Sequence, residues 1–242
     1  MIIDTKFKFY TDANGGDPDR DSPALRRYHK LLWSKPLPDG NIFELRDDRD
    51  GCYLYHNSEL GEFLLGSDAI THSYKSHKRK QWITEQIPNE VNELFEAGFT
   101  IGAYIIFPNN RIAGRHTINQ ARGMNSLIDD RFDLTLECIR LFYMGKDNPL
   151  YSTLLRYKDF FDLFGNFKEY INFFLLDDLL DENNNIKFYL PFDNFKTQPV
   201  FSDVSQYLLY KNRVMNFIEA RNNRIDNYVR ELSSYIRGGS LT

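Results

Sequence analysis

Cysteine is scarce. Two occur in 242 residues, Cys52 and Cys138, far apart along the chain. That excludes a disulfide-stapled scaffold and leaves no CxxC pair for zinc or redox chemistry; with no signal peptide in view, it points to a reducing cytoplasm. Long apolar runs are missing as well. A bilayer span needs about 20 apolar residues, and the longest candidate, Ile171-Asn-Phe-Phe-Leu-Leu, is cut by Asp177 and Asp178. Positive charge is not in excess: 30 Lys and Arg stand against 34 Asp and Glu, a net charge of −4. A general nucleic-acid coat is thereby excluded, and any nucleic-acid contact must be local. No phosphate-loop, dinucleotide, GxSxG, HExxH or kinase signature occurs, and the residues call for no cofactor.

What is present is aromatic mass. Twenty Phe, fifteen Tyr and 42% apolar residues suffice for the core of one α+β domain spanning residues 1–242. Residues 1–22 read as partly irregular and 237–242 as a flexible tail. The expected fold is a mainly antiparallel sheet of about five strands packed by helices, with a long C-terminal helix across it. Strand patterns fall at 4–10 (an edge), 41–46, 52–56, 63–72 with a bulge at Gly66, 99–107 and 186–192. Helix patterns fall at 23–34, 81–97 with a break at Pro88, from about 127 through Arg140, 149–164, 167–180 and 203–236. The last is a cover helix or a homodimer helix.

The chain is organised around residues 99–140. An uncharged strand ends at Pro108, and an amphipathic helix follows, with Ile128, Phe132, Leu136, Ile139 and Tyr143 on one stripe. Asp129 and Asp130 are expected in its first turn, and Asp133, Glu137 and Arg140 on a second face. Between strand and helix lies a polar loop, residues 109–126, that carries Arg111, Arg115 and Arg122 and no acid. Glycine there lets backbone approach a ligand, and arginine grips phosphate or carboxylate as a bidentate fork. The functional reading is an anion site. Arg111, Arg115 and Arg122 bind the anion, Asn119 and Gln120 orient it, His116 moves protons, and Glu137 with Asp133 supplies the base. The same residues fit a salt-bridge network of the chain's own arginines and acids.

A second basic feature is the 23–35 segment. Arg26, Arg27, Lys30 and Lys35, with Tyr28 and Trp33 interleaved, suit a local nucleic-acid or acidic-partner contact in which Trp33 stacks; they equally suit a solvated helix with Trp33 buried. Asp47, Asp48 and Asp50 mark a turn without calcium-loop spacing. His56, His72 and His77 match no zinc pattern. Cys138 reads as core rather than nucleophile.

Several segments resemble an uncharacterised bacterial family of unknown function: residues 22–38 (SPALRRYHKLLWSKPLP), 117–123 (TINQARG), 130–140 (DRFDLTLECIR), 159–165 (DFFDLFG) and 217–222 (FIEARN). The resemblance covers nearly the whole chain. It implies a free-standing, single-domain bacterial protein and carries over no activity or site. Two functions fit the residues. One is an intracellular transferase or hydrolase acting on a phosphate-bearing small molecule, nucleotide or nucleic-acid end. The other is a non-catalytic interaction or regulatory module.

Overall fold

The sheet is smaller than the strand patterns predict. A computed structural model describes residues 3–70 and 80–238. Among them three strands pair antiparallel in the order β1-β2-β3: β1 Leu54–Ser58, β2 Gly61–Ala69 and β3 Tyr104–Pro108. Gly61, at φ 132°, turns the β1–β2 hairpin in a conformation that side chains resist. The β2–β3 register runs without a bulge through Gly66, which faces Phe107. Gly66 is glycine for another reason: an added Cβ would stand 2.9 Å from the Asn109 side chain.

Three predicted strands fail. Segment 41–46 makes only the bridges Pro36↔Ile42 and Arg46↔Tyr55, and segment 186–192 only Leu180↔Ile186. Residues 4–10 end in a 3-10 turn, Phe9–Thr11. Their β-rich composition reflects half-burial, which strand propensity largely measures: Phe43, Leu45, Tyr189 and Leu190 are all buried in the core without a ladder. The far end of the 63–72 strand, His72, His77 and the basic run up to Arg79 lie outside the described residues.

Helices surround this sheet: α1 Pro18–Asp21, α2 Pro23–Trp33, α3 Gln81–Thr84, α4 Pro88–Ala97, α5 Ile118–Met124, α6 Phe132–Tyr143, α7 Tyr151–Arg156, α8 Lys158–Asp162, α9 Phe167–Phe174 and α10 Val204–Gly238. Ser22 caps α2 by accepting the Leu25 N–H, with proline at the first position. The predicted 149–164 helix breaks at Tyr157 into α7 and α8. α6 begins at Phe132, later than predicted, because Asp129 and Asp130 take left-handed φ of 48° and 62°. They therefore precede the first turn instead of lying in it.

Strand β3 is buried at every residue. On one side α10 crosses the preceding 3-10 turn, Ile101–Ala103. Arg221 of α10, fully buried, ties the layers together. Its Nη1 donates to the carbonyls of Gly102 and Tyr104, and its Nη2 to that of Phe174 at the end of α9. Three carbonyls serve the two terminal nitrogens of this buried guanidinium without a carboxylate, while its Nε has no hydrogen-bond partner among the described residues. Burial lowers its pKa to about 9.

The edge of β2 is handled locally. Beyond Leu65 the strand outruns its β1 partner. There α1 lies against it: Asp19 accepts from Ser67 Oγ at 2.8 Å and from the Ala69 backbone. An exposed strand edge invites foreign pairing, and this cover removes the invitation. No helix among the described residues is long and apolar enough to cross a membrane.

Candidate anion-binding site

The loop after β3 is held at both ends. Asn109 N–H donates to Leu64 O, which extends the strand pairing by one residue. Tyr157 Oη donates to Asn110 O at 2.8 Å. A 3-10 turn, Ile112–Gly114, then reverses the chain through left-handed Ala113 (φ 50°) and Gly114 (φ 70°). Thr117 opens α5 with a full capping box: its hydroxyl accepts Gln120 N–H while the Gln120 side chain accepts the Thr117 N–H.

Helices α5 and α7 run antiparallel, braced at each end. Arg156 Nη2, in the last turn of α7, donates to His116 O at 2.7 Å. Asn125, past the end of α5, donates from Nδ2 to Pro149 O at 3.1 Å.

On this rigid loop Arg111, Arg115 and His116 are exposed. Neither Arg111 nor Arg115 has a hydrogen bond, ion pair or ring contact from its side chain among the described residues. His116 Nδ1 stands 3.4 Å from Gln120 Oε1. Asn119 is half-buried beside them.

The remaining residues of the predicted set lie in a different layer. Arg122 is fully buried. Its Nη1 lies 2.7 Å from Asp68 Oδ2, 3.1 Å from Ala69 O and 3.1 Å from Asp130 Oδ1. Its Nε donates to Thr135 Oγ1 and its Nη2 to Asp130 O. Asp133 is equally enclosed and accepts from Arg131 Nε and Nη2 and from Tyr189 N–H. Glu137 accepts from Arg140 Nε at 2.7 Å and Nη2 at 2.8 Å. No hydrogen bond or ion pair among the described residues joins Asp133 or Glu137 to Arg111, Arg115 or His116. The single constellation expected from sequence is thus divided: an exposed cationic loop above, a buried charge network below. The reason is solvation, since a buried guanidinium needs hydrogen-bonding or charged partners, and Arg122 uses acids of the chain itself.

Asp130 is one of the acids that the salt-bridge reading offers to Arg122, but sequence reasoning missed the network's other acids. Asp68 of β2 lies 54 residues before Arg122, Asp19 of α1 earlier still, and no spacing signals them. Burial is the main cause that pushes the Asp19 carboxyl up to about 6 and the Asp68 carboxyl well above the ordinary range; Arg122 opposes both. Lys80, also fully buried, pairs with Asp129.

The basic α2 segment is likewise committed internally. Arg26 sits over the Tyr53 ring at 5.0 Å and Arg27 over Tyr28 at 5.4 Å. Lys30 pairs with Asp47 at 2.6 Å. Trp33 is fully buried, which corrects the expectation that it could stack on a base. Lys35 stands among aromatic rings. Cys138 is buried, and burial raises its thiol pKa. Among the described residues no group of three or more His, Cys, Asp or Glu could hold a metal ion.

A model of a family of unknown function, DUF6994, matches residues 3–225. No curated protein and no solved structure matches the chain.

Proposed function

We propose that this chain, which belongs to the family of unknown function DUF6994, binds a phosphate-bearing ligand on the 109–120 loop. The observation that carries the reading is the pair Arg111 and Arg115: two exposed guanidiniums, unpartnered among the described residues, on a braced loop without an acid. Guanidinium forks match phosphate oxygens bidentately. His116 adds a third donor at the same surface, oriented by Gln120 Oε1. Bracing by Tyr157, Arg156 and the Thr117–Gln120 box lowers the ordering cost of binding. Arg122, Asp133 and Glu137 are engaged by other residues of the chain and do not meet the ligand. Nucleotides, sugar phosphates and nucleic-acid ends all present this chemistry. If the bound molecule is also turned over, His116 is the loop's proton carrier.

A second reading, a protein-interaction surface, draws on a specific observation. Met124 of α5 and Leu155 of α7 are 69% and 49% exposed. They belong to the braced helix pair that carries the cationic loop, and exposed apolar side chains beside guanidiniums suit an acidic partner.

Thermal unfolding separates the two. Wild type and the Arg111→Ala/Arg115→Ala variant would be melted against nucleotides, NAD, sugar phosphates and short oligonucleotides. A ligand at ~100-fold its dissociation constant adds about 2.7 kcal/mol, several degrees in Tm. A shift in wild type that vanishes in an equally stable variant supports the phosphate reading. No shift with any compound moves the weight to the interaction surface.

A further inference from the structure

Among the described residues the half-buried amine of Lys35 has neither a carboxylate nor a hydrogen-bond acceptor in contact, whereas that of Lys8 donates to the Glu96 carbonyl. The buried amine of Lys80 reaches one carboxylate, Asp129, and that of Lys211 reaches two, Glu90 and Glu93. Lys35 reaches none. Its Nζ lies 5.1 Å from the Trp33 ring centre, 4.7 Å from Phe173 and 4.8 Å from Tyr228. It makes no hydrogen bond or ion pair among the described residues. The backbone fixes its position, since Lys35 N–H donates to Trp33 O and Lys35 O accepts from Phe43 N–H. The residue remains partly accessible.

Its charged surroundings are lopsided. Arg221, fully buried, also lies over the Trp33 ring, at 5.7 Å. The acid that faces Lys35 is Asp177, and Arg224 draws on it from 3.7 Å. The three rings favour the ammonium, whereas burial and then the Arg221 charge disfavour it and lower the Lys35 pKa to about 7. Desolvation beside a second cation is the arrangement that makes a lysine amine nucleophilic. An ordinary lysine at pH 7 is neutral in roughly one molecule in a few thousand, given a pKa near 10.4.

Space for a reactant adjoins the rings. Tyr228 also lines an open groove of 450 Å³ with Asn223, Asn227 and Arg224. Glu231 lines it too, so two amides, one guanidinium and one carboxylate suit a polar substituent.

We infer that Lys35 is a nucleophilic amine that captures a small carbonyl compound, an aldehyde or ketone, as an imine. The neutral amine's lone pair attacks the carbonyl carbon, and the C=O π pair moves to oxygen, which takes a proton. The resulting carbinolamine loses water as the C=N bond forms. One amine and one carbonyl compound give one imine and one water, with no oxidant or reductant. This inference is independent of the phosphate reading.

The test is reductive alkylation of the full chain with propanal and sodium cyanoborohydride between pH 6 and pH 10, followed by peptide mass mapping. The result expected is modification of Lys35 at pH 7 at least about tenfold faster than the exposed Lys146 and Lys196, with a half-maximal rate near neutrality. Asp177→Asn should move that midpoint to lower pH, a response that mere exposure would not give. Lys35→Arg should remove the fast phase in a protein with unchanged circular dichroism. The inference is overturned if wild-type Lys35 reacts no faster than those two lysines, or if its rate rises only toward pH 10.

Discussion

Arg122 Nη1 lies 2.7 Å from Asp68 Oδ2, and the pair joins α5 to the end of β2 across 54 residues of chain. Both side chains are essentially out of water. Removing one partner of such a pair strands the other charge, which costs about 3–5 kcal/mol. Arg122→Ala should therefore lower unfolding free energy by roughly that amount, whereas Arg115→Ala should change it by less than about 0.5 kcal/mol. Urea titration of both variants checks this. Equal losses would put the two arginines in one network and remove the distinction on which the phosphate reading stands.

The Asp19 carboxyl gives a pH signature with a definite sign. Its folded pKa is about 6, while an unfolded aspartate titrates at about 4. Between those values the folded chain holds a proton that the unfolded chain has released, so stability falls as pH rises through the window and levels off above it. Asp19→Asn should flatten the change in urea midpoint between pH 4.5 and pH 7 relative to wild type. Parallel profiles would contradict a carboxyl held above its ordinary pKa at this place.

Thr117 and Gln120 close the start of α5 reciprocally. Thr117→Ala should cost about 1 kcal/mol, the usual value of a lost cap. It should also loosen the His116 region, measurable as faster amide exchange at residues 118–120. Unchanged exchange would mean that the Arg156 and Tyr157 anchors hold the loop by themselves.

At Gly102 the long helix comes too close for any side chain. A Cβ there would stand 2.5 Å from the Ile218 carbonyl oxygen and 2.7 Å from Asn222 Oδ1. Asn222 Oδ1 also accepts the Gly102 N–H at 2.7 Å. Gly102→Ala must push α10 away and should cost at least about 1–3 kcal/mol, the range for overpacking. A wild-type melting temperature in this variant would show that α10 can shift freely.

The helices were legible where periodicity and capping agree. Ser22-Pro23 marked α2, Pro88 marked α4, and the apolar repeat through Val204, Leu208, Met215 and Ile218 marked α10. α5 is hidden in a polar loop pattern although Thr117-Ile-Asn-Gln120 carries the Thr-x-x-Gln capping pattern, because α5 has only seven residues and glycines lie close by. The i,i+3 neighbours Glu137 and Arg140 could be placed on one helix face from spacing alone. Arg122 could not be told from Arg115 that way. What separates them is Asp68, which arrives through strand pairing, and single-chain spacing holds no record of a partner 54 residues away.

The carbonyls of Gly102 and Tyr104 meet their donor only at Arg221, 119 and 117 residues later. A chain made from its N-terminus onward therefore carries β3 long before the guanidinium that completes it exists. Such distant closures are slow to find and leave apolar strands uncovered meanwhile. The vulnerable period for this protein lies in its synthesis: until α10 has emerged and docked, the turn that leads into β3 is uncovered and these carbonyls lack that guanidinium.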